Sequence, residues 1–154
     1  NILISKFETG NKDSIVNEFK NIINVKDKTY SPLAFYFLLD NNLIKSNDEI
    51  NGYFDILINE ISLEKEIVNL TIYKKGLYNS DFADESTLLN ILNPVIKSKS
   101  IWRPHALFLM AEYYYANNQK NKSKDFFEQI IDIENVNPRI KQESQKRLRA
   151  NFSE

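Results

Sequence analysis

The chain has no cysteine, one histidine, one tryptophan and only three glycines among its 154 residues. Without cysteine there are no disulfides, no thiol nucleophile and no thiolate metal site. One histidine, His105, excludes a multi-histidine metal centre. Gly10, Gly52 and Gly76 are too widely spaced to form a phosphate-cradling loop. No apolar run reaches the roughly 18 residues that a membrane-spanning helix needs. No charge of one sign prevails: 20 basic residues face 21 acidic ones, a net charge of -1. That balance exerts no long-range pull toward nucleic acid or an anionic membrane. No secretion signal is visible. The chain opens on Asn1 rather than Met, so the expectation is a missing upstream segment that includes a membrane anchor.

What is present is a globular composition, 42% hydrophobic and 27% charged, with length for one domain, 1–154, and its core. Apolar residues recur at helical spacing almost throughout, and no run alternates as a strand does. Ile15, Phe19, Ile22 and Ile23 mark a helix over 12–25. Ser31-Pro32 reads as a hydroxyl cap followed by proline in the first turn of a helix reaching about Ile44. Ser46 and Glu49 form a capping-box pattern before a helix that carries Ile50, Phe54, Leu57, Ile58 and Ile61. Further helices are expected over 63–78, from about Asp84 to Ile96, from Pro104 to about Asn117, over 120–133, and from Pro138 to Phe152. Pro94 should kink or shorten its helix. Asp81, Asp84 and Glu85 read as acidic caps at a loop-to-helix junction rather than a carboxylate cluster.

One block recurs. Ser31-Pro32-Leu33-Ala34-Phe35-Tyr36-Phe37-Leu38-Leu39 returns as Arg103-Pro104-His105-Ala106-Leu107-Phe108-Leu109-Met110-Ala111, its proline 72 positions later, twice 36. Second helices begin near Lys12, Asn47, Asp84 and Lys120, in steps of 35, 37 and 36. A fixed period in this range marks stacked helix pairs. The expected fold is all-α: a right-handed solenoid of three full helix pairs, one truncated first pair and a closing helix. Such stacks present extended surfaces that bind rather than catalyse.

From Leu107 to Ile130 the residues resemble the tetratricopeptide repeat, a helix-turn-helix of about 34 residues with small residues where its helices touch. Met110-Ala111 takes the paired leucine-glycine position, Tyr114 the inner tyrosine, Ser123 the small residue of the second helix and Phe127 the aromatic after it. Phe35, Leu38, Leu39, Gly52 and Ile56 fit the same pattern after a one-residue insertion, while 63–96 fits poorly. The run Ile101-Trp102-Arg103-Pro104, with Ala106, Ala111, Phe127, Pro138 and Arg139, is similar to the carboxy-terminal half of the bacterial ancillary Sec-translocon subunit family. That resemblance implies a membrane-anchored protein with its repeat domain at the periplasmic face of the inner membrane. It also implies a role in secretion or envelope protein folding, with translocon or periplasmic chaperone components as partners. The alternative is a cytoplasmic tetratricopeptide adaptor in another complex.

No nucleophile–base pair, metal cluster or phosphate loop is recognisable, so no catalytic residue, metal or cofactor is expected. The repeat register places Tyr36 and Asp40, and then His105, Phe108, Glu112 and Tyr115, on a concave groove for a protein or peptide. Aromatic side chains supply contact area, and the two carboxylates would select polar or basic partners. In Tyr113-Tyr114-Tyr115, the middle ring should pack inside its own helix pair and Tyr113 against a neighbouring one. Trp102 is expected largely buried at a junction between pairs. Gly52 and Ser123 are expected at close helix contacts. The basic residues of the last helix, Arg139, Lys141, Lys146, Arg147 and Arg149, read as the solvated face of a closing helix.

Overall fold

A computed structural model describes residues 2–152. Among them the secondary structure is entirely helical: α1 Ile2–Thr9, α2 Lys12–Val25, α3 Tyr30–Asp40, α4 Asn47–Asp55, α5 Lys65–Asn79, α6 Glu85–Ile96, α7 Arg103–Ala116, α8 Lys120–Ile131 and α9 Pro138–Phe152. The chain divides into two compact units, Asn1–Glu64 and Lys65–Glu154.

Local chemistry sets the helix ends. Asn11, Ser46 and Asp84 are N-caps whose side chains accept amide N–H bonds from Asp13, Glu49 and Thr87. Positive φ outside glycine falls on Lys26, Asn42, Asn118 and Asn135. Three lie within two residues of a helix end and Asn135 lies in the α8–α9 loop; three of the four are asparagine, which tolerates the left-handed region best after glycine.

In the first unit, Phe35 is fully buried between Tyr53 and Phe54, its ring centroid 5.8 and 4.8 Å from theirs. Phe19 of α2 stacks on Phe37 of α3 at 4.6 Å. Ser31 is not the cap of α3. The cap position is Thr29, and Asp27 accepts the Thr29 and Tyr30 amides instead. Ser31 Oγ is turned inward, donating to the Ile22 carbonyl at 2.8 Å and tying α3 to α2. α3 stops at Asp40, four residues before the expected end, because Asn42 turns left-handed. Past Asp55, α4 widens into a π-turn over Ile56–Glu60. Glu49 does not reach back to its cap. It pairs with Lys20 at 2.7 Å and accepts from Tyr53 Oη at 2.9 Å.

In the second unit α5 packs on α6, α6 on α7, α7 on α8 and α8 on α9, while α5 also meets α7 and α7 meets α9. The first helices of successive pairs therefore touch one another as well as their own partners. Leu107, Ala111, Phe127 and Ile130 form a fully buried cluster, flanked by Phe108, Ile140, Leu148 and Phe152. Ser123 is buried and donates to the Ala111 carbonyl at 2.8 Å, a contact only a small side chain permits. Gly52 behaves otherwise than expected: it is exposed, and a Cβ there would meet nothing within 4 Å. The close helix contact falls on Gly76, where a Cβ would overlap Leu92 Cδ2 and lie 3.0 Å from Leu92 Cγ and 3.4 Å from Leu109 Cδ2. Pro94 stands in the last turn of α6, which ends two residues later.

Candidate functional site

A large concave feature of the second unit lies at the start of α7. Its foundation is Glu66, in the first turn of α5. One carboxylate oxygen accepts Ser100 Oγ–H at 2.7 Å and the Ile101 amide at 3.3 Å. The other accepts Asn69 Nδ2 at 3.3 Å. Ser100 Oγ accepts the Trp102 amide at 3.0 Å, and Ser98 Oγ accepts the Ser100 amide at 3.1 Å. The α6–α7 loop is thereby fixed, and with it the entry of Trp102.

Trp102 is mostly covered but not enclosed. One face stacks on Tyr73 of α5, centroids 6.1 Å apart and nearly parallel at 16°. The His105 ring leans on both, 5.1 Å from Trp102 and 5.7 Å from Tyr73. Trp102 is largely covered where α5 and α7 meet, as expected, while the loop that carries it leaves one side of it on a cleft. Burial holds the His105 pKa below its ordinary value, and the Ile101 carbonyl offsets part of that shift. Its Nδ1 is buried without a well-formed hydrogen bond. Burial alone raises the Tyr73 phenol.

The sign of the His105 shift yields a prediction. A depressed folded pKa means the unfolded chain binds more protons. The contribution to stability is then complete above the unfolded value, about 6.5, and declines as pH falls below it. His105→Gln should flatten the stability–pH curve between about pH 7 and 5. Denaturant midpoints measured across that range check this, and an unchanged slope would refute it.

Two cavities meet at His105. The larger, about 940 Å³, runs from the α6–α7 loop (Lys99, Ile101, Trp102) and the first turn of α7 (Arg103, Pro104, His105) to the end of α8 and the α8–α9 loop (Asp132, Ile133, Glu134, Val136). The smaller, about 400 Å³, is lined by Tyr73, His105, Phe108, Asn137, Arg139, Ile140 and Glu143. His105 and Asn137 line both.

The other expected groove residues lie as follows. Phe108 shares the smaller cavity with His105 and meets Phe127 edge-on at 5.3 Å. Glu112 and Tyr115 are brought together by α9. Arg147 Nη1 is 2.6 Å from Glu112 Oε1, in an ion pair whose angles fall outside hydrogen-bond geometry. Its guanidinium carbon is 5.6 Å from the Tyr115 ring centre, and that ring meets Phe152 at 5.9 Å. Tyr36 and Asp40 belong to the first unit: Tyr36 is half-buried, 5.4 Å from Phe35, and Asp40 is exposed at the end of α3.

Of the tyrosine triplet, Tyr113 donates to the Ala83 carbonyl at 3.1 Å and Tyr114 to Glu85 Oε1 at 3.1 Å. Burial, then Glu85, pushes the Tyr114 phenol up to about 12. Glu85 is thus no cap, since it also accepts from Gln119 and Lys122. Asp84 is the cap. No three His, Cys, Asp or Glu side chains among the described residues are grouped to hold a metal ion, and no described helix is long and apolar enough to cross a membrane.

Sequence reasoning missed Glu66, Tyr73 and the charged walls of the larger cavity. Glu66 and Tyr73 lie in the block that fits the repeat pattern worst, and nothing local marks a glutamate that will latch a loop 34 residues away. No family profile, curated protein or solved structure matches this chain.

Proposed function

We propose that this protein is a non-catalytic interaction module: a right-handed solenoid of degenerate tetratricopeptide-like pairs that binds a protein or peptide partner. The observation that carries the reading is the cleft at the α7 start, where Trp102, on a loop held by Glu66, stacks on Tyr73 of α5 and His105 of α7 leans on both rings. An aromatic wall with polar rims suits peptide recognition. The first-helix contacts of α5 with α7 and α7 with α9 support the stacked arrangement. The setting proposed is that of the family resembled: a soluble portion of an anchored bacterial envelope protein that assists secretion or folding. A cytoplasmic adaptor is the second reading.

The partner-binding surface proposed is this cleft rather than the α7 face that carries Glu112 and Tyr115, because Arg147 and Phe152 occupy that face from within the chain. The test is site-specific photo-crosslinking in the source cell from Ile101, which is 68% exposed at the rim of the cleft. A discrete protein adduct is expected, and its absence overturns the reading.

A further inference from the structure

We infer that the larger cavity binds a dipolar peptide segment, one that places a large apolar side chain between an acidic residue and a basic one. The inference rests on the partner-binding reading above and names the class of partner. It starts from the walls of the cavity. Lys99 and Arg103 stand on the side of the α6–α7 loop and the α7 start; Asp132 and Glu134 stand on the side of the α8 end and the α8–α9 loop. Lys99, Asp132 and Glu134 make no ion pair among the described residues. Arg103 is tied only through Nε, which donates to the Ile96 carbonyl at 2.8 Å, so its remaining guanidinium N–H groups are available to an anion.

The negative charge is placed against a helix dipole. The start of a helix favours anions and its end favours cations. Here α7 has no acidic residue in its first turn and begins with Arg103. α8 has no basic residue in its last turn and is C-capped by Asp132. At the negative wall Asp132 and the α8 end share a sign, so the carboxylate does not serve its own helix. At the positive wall Arg103 bonds the Ile96 carbonyl at the end of α6 and Lys99 follows that end, so these cations also answer the α6 dipole. Together the two walls set a field across the cavity, positive at the α7 start and negative at the α8 end. An occupant with an anion facing the first and a cation facing the second is complementary to both.

Between the walls Ile101, Trp102, Ile133 and Val136 give apolar lining, beside the polar side chains of Gln129, Asn135 and Asn137. The cavity volume lies within the range of about 300–1,000 Å³ typical of ligand sites. That leaves room for one large apolar side chain and the backbone on either side. A uniformly acidic segment would meet Asp132 and Glu134, and a uniformly basic one Lys99 and Arg103. Both would be repelled at one end.

Trp102 is the only tryptophan of the chain, so its emission reports on the cavity without a label. The probes are blocked short peptides: one carrying glutamate, leucine and lysine in that order, one with both charged positions glutamate, and one with both lysine. The mixed peptide should change Trp102 emission saturably and bind about tenfold more tightly than either like-charged peptide. Lys99→Glu should weaken the mixed peptide about tenfold and improve the dilysine one; Asp132→Lys should do the same in favour of the diglutamate one. Lys99 and Asp132 are both exposed, so the variants should keep the parent's circular dichroism. Equal binding of all three peptides, or no change in emission with any of them, overturns the inference. If the Ile101 adduct forms while the mixed peptide fails, the ligand class is wrong and the partner-binding reading stands. If neither is seen, that reading falls too.

Discussion

Phe127→Ala should destabilise the second unit by about 3–5 kcal/mol, the range for removing a fully enclosed aromatic. Phe127 is completely buried. It meets Phe108 edge-on at 5.3 Å and Phe152 at 6.4 Å, and the Arg147 guanidinium lies 5.7 Å from its ring centre. Those partners come from α7 and α9, so this one ring joins three helices. Small domains have only about 5–15 kcal/mol in total, so a loss of this size puts folding near its limit. α9 has Ser144 as its only buried residue and should loosen first. Its apolar residues Ile140, Leu148 and Phe152 pack on the cluster that Phe127 anchors. Denaturant unfolding measures the total cost, and amide exchange along α9 measures the local one. A loss below about 1 kcal/mol would mean that the α7–α8–α9 packing is not as described.

Gly76→Leu should cost about 3 kcal/mol, at the upper end for overpacking. The neighbouring atoms are the reason. Leu92 is fully buried, so a shift of its side chain disturbs the core around it, and Leu109 closes the other side. Gly76→Ala is the sharper version. In an open helix interior that change stabilises by about 1 kcal/mol. Here the added carbon overlaps the Leu92 side chain, so the expected sign reverses. Gly52→Ala supplies the contrast, since that position is open and the helix preference should be recovered there. Thermal melts of the three variants check the set. If Gly76→Ala melts above the parent, the α5–α6 contact is looser than described.

These two positions also show how much was legible beforehand. Apolar spacing gave the helices and their starts to within a few residues, because a stripe such as Ile15, Phe19 and Ile23 is both the signal in the sequence and the buried face in the structure. Ser123 was legible as a small contact position because its repeat is the best preserved. Gly52 was misread for the opposite reason. Its block fits the repeat pattern only with a one-residue insertion, and α4 gives way to the π-turn at Ile56, so the register does not carry over. Gly76 was missed although it lies 35 residues before Ala111, which fills the small position of its own pair. The block around it departs too far from the repeat pattern for that spacing to mark it.

The site was less legible than the fold. Repeat register named His105 and Phe108, which do line cavities, and Glu112 and Tyr115, which meet Arg147 of α9 instead. A periodic pattern tells which residues leave the core of one pair but not which neighbour arrives to meet them. The basic face of α9 read as solvated, yet Arg147 lies half-buried over two rings, its long side chain packing as well as pairing. Nor can spacing reveal a loop held by side-chain hydrogen bonds, such as that from Ser98 to Trp102.

The central claim is that partners dock at the start of α7. The most direct measurement compares photo-crosslinking from Ile101 with crosslinking from Thr87, both placed in the full chain in its own cell. Thr87 is exposed in the first turn of α6, the far end of that helix from the cleft. An adduct that forms from Ile101, fails from Thr87 and disappears when Trp102→Ala is added is the result expected. Equal adducts from both positions, or an Ile101 adduct indifferent to Trp102→Ala in a folded variant, would contradict it.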